Sequence, residues 1–200
     1  FCIGGTGIRV MKSITMLMAG GMSTCGYTVV PVIIDPHLDL EEKKNLHSLI
    51  DSYEDVYNRS INNGNSTLNP LSGFFNSEMR KLSELNDMTN DTQQNMGSEE
   101  SFRSYINHAN LSANDINNFL VETLFSTKNL DSKLSVGFKG NPNVGTVVLG
   151  EMIEGADWFK SFKQHCEKDD RVFIISSIFG GTGASGFPLL EKKIKQVIYC

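Results

Sequence analysis

Ile178-Phe179-Gly180-Gly181-Thr182-Gly183-Ala184-Ser185-Gly186-Phe187-Pro188 is the stretch on which the fold turns. Residues 171–177 before it, Arg-Val-Phe-Ile-Ile-Ser-Ser, read as a buried strand, and residues 189–194 after it read as a helix. A glycine-rich turn between strand and helix bares backbone N–H groups at the positive end of the helix, which suits phosphate. One such turn often does no more than let a chain reverse. This chain has a second, Gly4-Gly5-Thr6-Gly7. Phe1-Cys2-Ile3 precedes it as the tail of a strand, and residues 8–20 follow with apolar side chains at helical spacing. Two neighbouring loops of this kind are able to clasp a polyphosphate from both sides.

Between the two turns the pattern alternates. Residues 27–34 form a β-branched run, apolar on both faces, as in a central parallel strand. Pro31 inside it cannot donate to a ladder and marks a bulge or an edge. Asp35 closes this strand, and 38–53 reads as a helix with Asp39 as its cap. Residues 58–118 are rich in Asn, Ser and Asp, with helical patterns at 78–85 and 98–108. Ser112-Ala113-Asn114-Asp115 resembles a capping box opening a helix through Phe125. We read 55–130 as a helical insertion, partly mobile at 60–75 and 86–98. A strand at 134–138, a loop at 139–145, a helix at 151–166 and a turn at Asp169-Asp170 then lead to strand 171–176. The alternation predicts an α/β fold of one domain, 1–200: a Rossmann-like, doubly wound, mainly parallel sheet with a helical insertion. Ligands of such sheets sit at the carboxyl ends of the strands. The turns at 4–7, 35–39, 139–145 and 179–186 are therefore expected to line one crevice.

Bulk properties narrow the partners. A formal net charge of −5 argues against a nucleic-acid backbone as the main partner. Lys192, Lys193 and Lys195 read as a solvated helix face. Cys2, Cys25, Cys166 and Cys200 form no close pair and have no His at zinc-ligand spacing, so reduced, structural thiols in a cytoplasmic protein are expected, with Cys2 and Cys25 in or beside apolar strands. Residues 11–21 imitate a secretory signal, but ten residues precede them and supply the strand and turn the helix needs. No apolar run is long enough to span a membrane. The chain opens without Met, inside what reads as a strand, and is expected to be part of a longer protein.

The four loops, in this order, resemble those of the tubulin/FtsZ family of GTP-binding, filament-forming proteins. Gly180-Gly181-Thr182-Gly183-Ala184-Ser185-Gly186 looks like the family's Gly-Gly-Thr-Gly phosphate signature, and Gly4, Gly5, Thr6 and Gly7 match its first phosphate loop. Gly140-Asn141-Pro142-Asn143-Val144-Gly145 looks like the FtsZ Ala-Asn-Pro-x-x-Gly loop beside the terminal phosphate. Asp35 matches an acidic or polar position near the metal and phosphates. The resemblance covers roughly 1–53 and 131–200. It implies GTP or GDP as ligand, accompanied by Mg2+ that Asp35 meets through water, and head-to-tail self-association. It also implies that Asn141 and Gly145 shape the loop at the terminal phosphate, and that Thr6 and Thr182 add hydroxyl donors.

The chain also departs from the family. Ser185 replaces the second glycine of Gly-Gly-Thr-Gly-x-Gly, and its hydroxyl is a candidate phosphate donor. Ile8 and Arg9 stand where the family has Asn and often Gln; Arg9 is either a charge-assisted phosphate donor or a solvent-facing residue. His37 stands where tubulins are acidic, and the insertion is longer than the corresponding link in FtsZ. The pattern is that of a divergent prokaryotic member. No acidic Asn-x-Asp-x-x-Asp-like segment follows the last loop, so GTP hydrolysis is left open. Two alternatives stand beside this reading. One is an NAD(P)-binding Rossmann oxidoreductase, although Arg at position 9 breaks the strict Gly-x-Gly-x-x-Gly spacing and 179–186 goes unexplained. The other is a degenerate tubulin-like scaffold that does not hydrolyse nucleotide.

Overall fold

The structure, a computed structural model, describes residues 1–37, 40–62, 73–81, 100–112 and 114–198. Among the described residues helices dominate: eight α-helices and 60% helix, against a single sheet of two parallel strands. The expected doubly wound Rossmann-like sheet is overturned. Strand β1 (Cys2–Ile3) pairs in parallel with β2 (Ile33–Ile34), Cys2 opposite Ile33 and Ile3 opposite Ile34. On the other flank of β1, the Ile175 N–H donates to the Phe1 carbonyl and the Ile3 N–H donates to the Ile175 carbonyl, both at 2.8 Å. That flank makes one parallel bridge, Cys2 with Ile175, and no strand.

Period-two alternation along these two-residue strands divides the core. Ile3 and Ile34 point into a large cluster, and Cys2 and Ile33 into a smaller one. The smaller cluster is closed by helix α1 (Gly4–Ala19) through Ile8, Met11 and Met18, and by α2 (Glu41–Asn62) through Leu46, Ile50 and Tyr53. Three short helices follow: α3 (Phe102–Tyr105), α4 (Ile116–Leu124) and α5 (Thr127–Leu130). They add Phe102, Phe125 and Leu130 to the large cluster, with Phe102 and Phe125 edge to face at 4.9 Å. Helices α6 (Pro142–Gly155), α7 (Asp157–His165) and α8 (Thr182–Ile198) add most of the rest, joined by Val32, Leu134, Phe138 and Ala156.

The sheet is short for identifiable reasons. Pro31 brings no N–H into the run at 27–34, and the regular ladder starts only at Ile33. In the run at 171–176, the serine side chains bond elsewhere than along a strand. The Ser176 hydroxyl donates to the Gly183 carbonyl at 3.0 Å, and the Ser177 hydroxyl accepts from the Phe179 N–H at 3.1 Å. The run at 134–138 is no strand either. Leu134–Val136 forms a 3-10 turn, closed by Gly137 at φ +74°.

Other boundaries move as well. Residues 4–7 are the first turn of α1 rather than a loop before it. The expected helix 151–166 is two helices that divide at Ala156, the first starting at Pro142, where a missing N–H costs nothing. Helix α8 begins at Thr182 and contains Pro188. Asp39 as a cap, residues 82–85 of the helix expected at 78–85, Ala113, Cys200 and most of the stretches expected to be mobile lie outside the described residues. Glu78–Lys81 is extended, bridging Val29 through Met79. Cys2 is buried in the core, but Cys25 is exposed in a turn at φ +56°, not beside an apolar strand. Among the described residues no helix is long and apolar enough to cross a membrane.

Candidate functional site

The three helices that begin at the predicted loops all begin in one place. A Cβ built on Gly4, the first residue of α1, would lie 3.5 Å from the Thr182 Cβ and 3.6 Å from the Gly183 nitrogen in the first turn of α8. One built on Gly181 would lie 2.7 Å from the Phe138 Cβ and 3.2 Å from the Gly140 nitrogen, just before α6. One on Gly145, in the first turns of α6, would lie 2.7 Å from the Phe138 ring and 2.9 Å from the Ser185 Cβ in α8. Real Cβ atoms do not approach other heavy atoms that closely, and Phe138 and Ser185 are themselves buried, so glycine at 145 and 181 is a condition of this junction.

Charge and hydrogen bonding at the junction favour an anion. Each helix carries a partial positive charge and free N–H groups at its start. Ile3 caps α1 with no side-chain bond, and Asn141 makes none to α6. Gly181, whose carbonyl accepts the Ser185 N–H at 3.2 Å, has no side chain to offer α8. No acidic residue lies in the first turn of any of the three. Gly4, Gly140 and Gly180 hold φ values of +68°, +78° and +99°, which turn the chain sharply into each helix.

The predicted residues divide into those at the surface of this junction and those inside it. Thr6, Gly140 and Gly180 are exposed, and Gly5, Asn141 and Thr182 half-buried. Gly4, Gly7, Gly145, Gly181, Gly183 and Gly186 are buried and let backbone meet backbone. A Cβ on Gly7 would lie 2.6 Å from the Cys2 carbonyl carbon, one on Gly183 2.5 Å from the Ser177 oxygen, and one on Gly186 2.9 Å from the Ile3 side chain. Ser185 is 1% exposed, and its hydroxyl donates to the carbonyls of Gly181 at 2.7 Å and Thr182 at 3.2 Å. That hydroxyl is used within its own helix and does not face a ligand.

Arg9 is exposed on the second turn of α1, its guanidinium Nε 3.4 Å from the Glu42 carboxylate. The Asp35 carboxylate accepts the His37 N–H at 2.8 Å, and the buried Lys43 ammonium donates to the Asp35 carbonyl at 3.1 Å. Burial pushes the Asp35 carboxyl above the usual carboxylate range. Among the described residues no three His, Cys, Asp or Glu gather as a metal would require.

Sequence reasoning missed Phe138, Glu42 and Lys43. Phe138 was expected in a strand, yet it follows a 3-10 turn and packs into the junction, its ring against Gly145 and its Cβ against Gly181. Glu42 lies in the first turn of α2, where acidic residues are commonplace, so nothing in the pattern marked it. No protein-family model, curated protein or solved structure matches the chain.

Proposed function

We propose that the chain binds the polyphosphate of GTP or GDP at this junction, as the nucleotide-binding part of a divergent tubulin/FtsZ-like protein that self-associates head to tail. The observation that carries the reading is the convergence of three helix N-termini, none with a capping side chain, on glycines at 4, 140, 145, 181 and 183. Fixed N–H groups and helix dipoles stabilise phosphate charge without reorganisation, which is what phosphoryl chemistry asks of a protein. Thr6 and Thr182, both accessible, supply hydroxyl donors, and Asp35 stands at the end of β2 to meet an ion through water. The dinucleotide alternative leaves the glycine turn at 179–186 unexplained, and Arg9 breaks its strict glycine spacing.

The full chain titrated calorimetrically with GTP, ATP, NAD and inorganic triphosphate tests this. GTP and triphosphate should bind, with affinity falling as salt rises. Thr182→Val should weaken both, and GTP should promote sedimentation. Tight NAD binding without GTP binding would overturn the proposal. A chain that binds none of the four would be the degenerate scaffold, a reading favoured by the inward-turned Ser185 hydroxyl.

A further inference from the structure

Arg9 and Glu42 both overlook the first turn of α1. A Cβ on Gly5 would lie 3.5 Å from the Arg9 Nη2 and 4.0 Å from the Glu42 Oε2. Glu42 comes from a different helix, α2, and reaches α1 across the sequence-distant contact that Arg9 makes with it. The pair is loose. Its 3.4 Å separation exceeds the usual length of a charge-assisted bond, and the two side chains are 68% and 49% exposed. A carboxylate placed beside uncapped N–H groups has the charge and acceptor atoms of a phosphate oxygen.

We infer that Glu42 is a built-in competitor for the anion site: it occupies Arg9 and places negative charge where a phosphate would approach, so ligand binding must displace it. The inference rests on the polyphosphate-binding role proposed above and adds its regulation. When phosphate enters, Arg9 exchanges the Glu42 carboxylate for a phosphate oxygen. Glu42, now facing a like charge, moves away. The first turn of α2 is in this way released by occupancy at the first turn of α1.

The sign of one substitution separates competition from support. At low salt, Glu42→Gln should bind inorganic triphosphate and GTP at least about threefold more tightly than the unaltered chain, an advantage that fades at high salt. Arg9→Gln should bind both more weakly. In the Arg9→Gln background, Glu42→Gln should recover only part of its effect, since there is no guanidinium left to free. Glu41→Gln removes the same charge from the same turn of an exposed neighbour and should change affinity less. All three positions altered are surface ones, and a thermal melt of each variant confirms folding. Binding by the unaltered chain with Glu42→Gln unchanged or weaker overturns this inference alone, as does an equal effect of Glu41→Gln. Failure of the unaltered chain to bind GTP or triphosphate overturns the functional proposal together with it.

Discussion

The helices of the glycine junction and those of residues 101–130 start in opposite ways. In the latter region each of the α-helices α3, α4 and α5 has a side-chain cap. Ser101 accepts from the Ser104 N–H at 3.3 Å, Asp115 from the Asn117 N–H at 2.8 Å, and Ser126 from the Asn129 N–H at 3.3 Å. At the junction, α1 and α6 have none. Helix α7 also lacks a cap, but Asp157 in its first turn answers its dipole. Short helices at the surface need local help to exist at all. The junction helices are long and well buried, so packing holds them and their first N–H groups stay available. The contrast teaches that the uncapped ends are tolerated because tertiary burial supports them, and that they are the ends a ligand can satisfy.

The largest test of that contrast attacks the packing. Gly7→Ala places a Cβ within 2.8 Å of the Cys2 backbone and the Ile175 carbonyl, none of which is a flexible side-chain end. It should cost about 3 kcal/mol in chemical denaturation, the upper range for overpacking. Gly150→Ala, in α6 with nothing within 4 Å of the new methyl group, should instead stabilise by about 0.5–1 kcal/mol. Equal responses at the two sites would mean that glycine at the junction is incidental.

The caps provide the next test. Asp115→Ala removes a bond that α4 uses and should cost about 1 kcal/mol. Asn141→Ala removes no capping bond from α6 and should change stability by less than about 0.5 kcal/mol, measured in the same way. A large loss at Asn141 would show that α6 is capped in solution and that its N–H groups are not free for phosphate. Ser185→Ala falls between these. It deletes a hydroxyl bonded only within α8, so triphosphate affinity should hold while stability drops by up to about 1 kcal/mol.

These residues also mark what could be read in the chain beforehand. The helices that follow residues 4–7 and 180–186 were legible because glycine turns and helical periodicity are local signals. Asp115 was legible for the same reason, although it caps α4 alone rather than through a box with Ser112. Strand length was not. Whether 171–176 forms a ladder depends on where Ser176 and Ser177 send their hydrogen bonds, and Gly183, the acceptor for Ser176, is seven residues on. Residues 4–7 read as a turn because glycine is a poor helix former. In the first turn, however, N–H groups have no intrahelical partner to lose, and close contact with Cys2, Ile175 and Thr182 outweighs propensity. The pairing of Arg9 with Glu42 joins residues 33 apart and had no signature at all.

The smallest effect concerns charge. In the 101–131 region the Arg103–Asp131 pair, 3.0 Å apart, is solvent-accessible and contributes under about 1 kcal/mol. Asp35, at the end of β2, is mostly enclosed, and burial raises its carboxyl pKa over the opposing pulls of the His37 N–H and Lys43. The sign follows from linkage. With a folded-state pKa above the unfolded one, the folded chain holds the proton longer. Stability is therefore lost as pH rises from the ordinary carboxylate pKa, about 3.9, through the raised one, and the penalty then stays. Asp35→Asn keeps an acceptor for the His37 N–H without the charge. Its stability relative to the unaltered chain should rise across that interval and stay higher at neutral pH, as denaturation series at stepped pH would measure. A flat difference would mean that Asp35 ionises in the folded chain at no cost, and that the end of β2 is already open enough to water to hydrate a carboxylate.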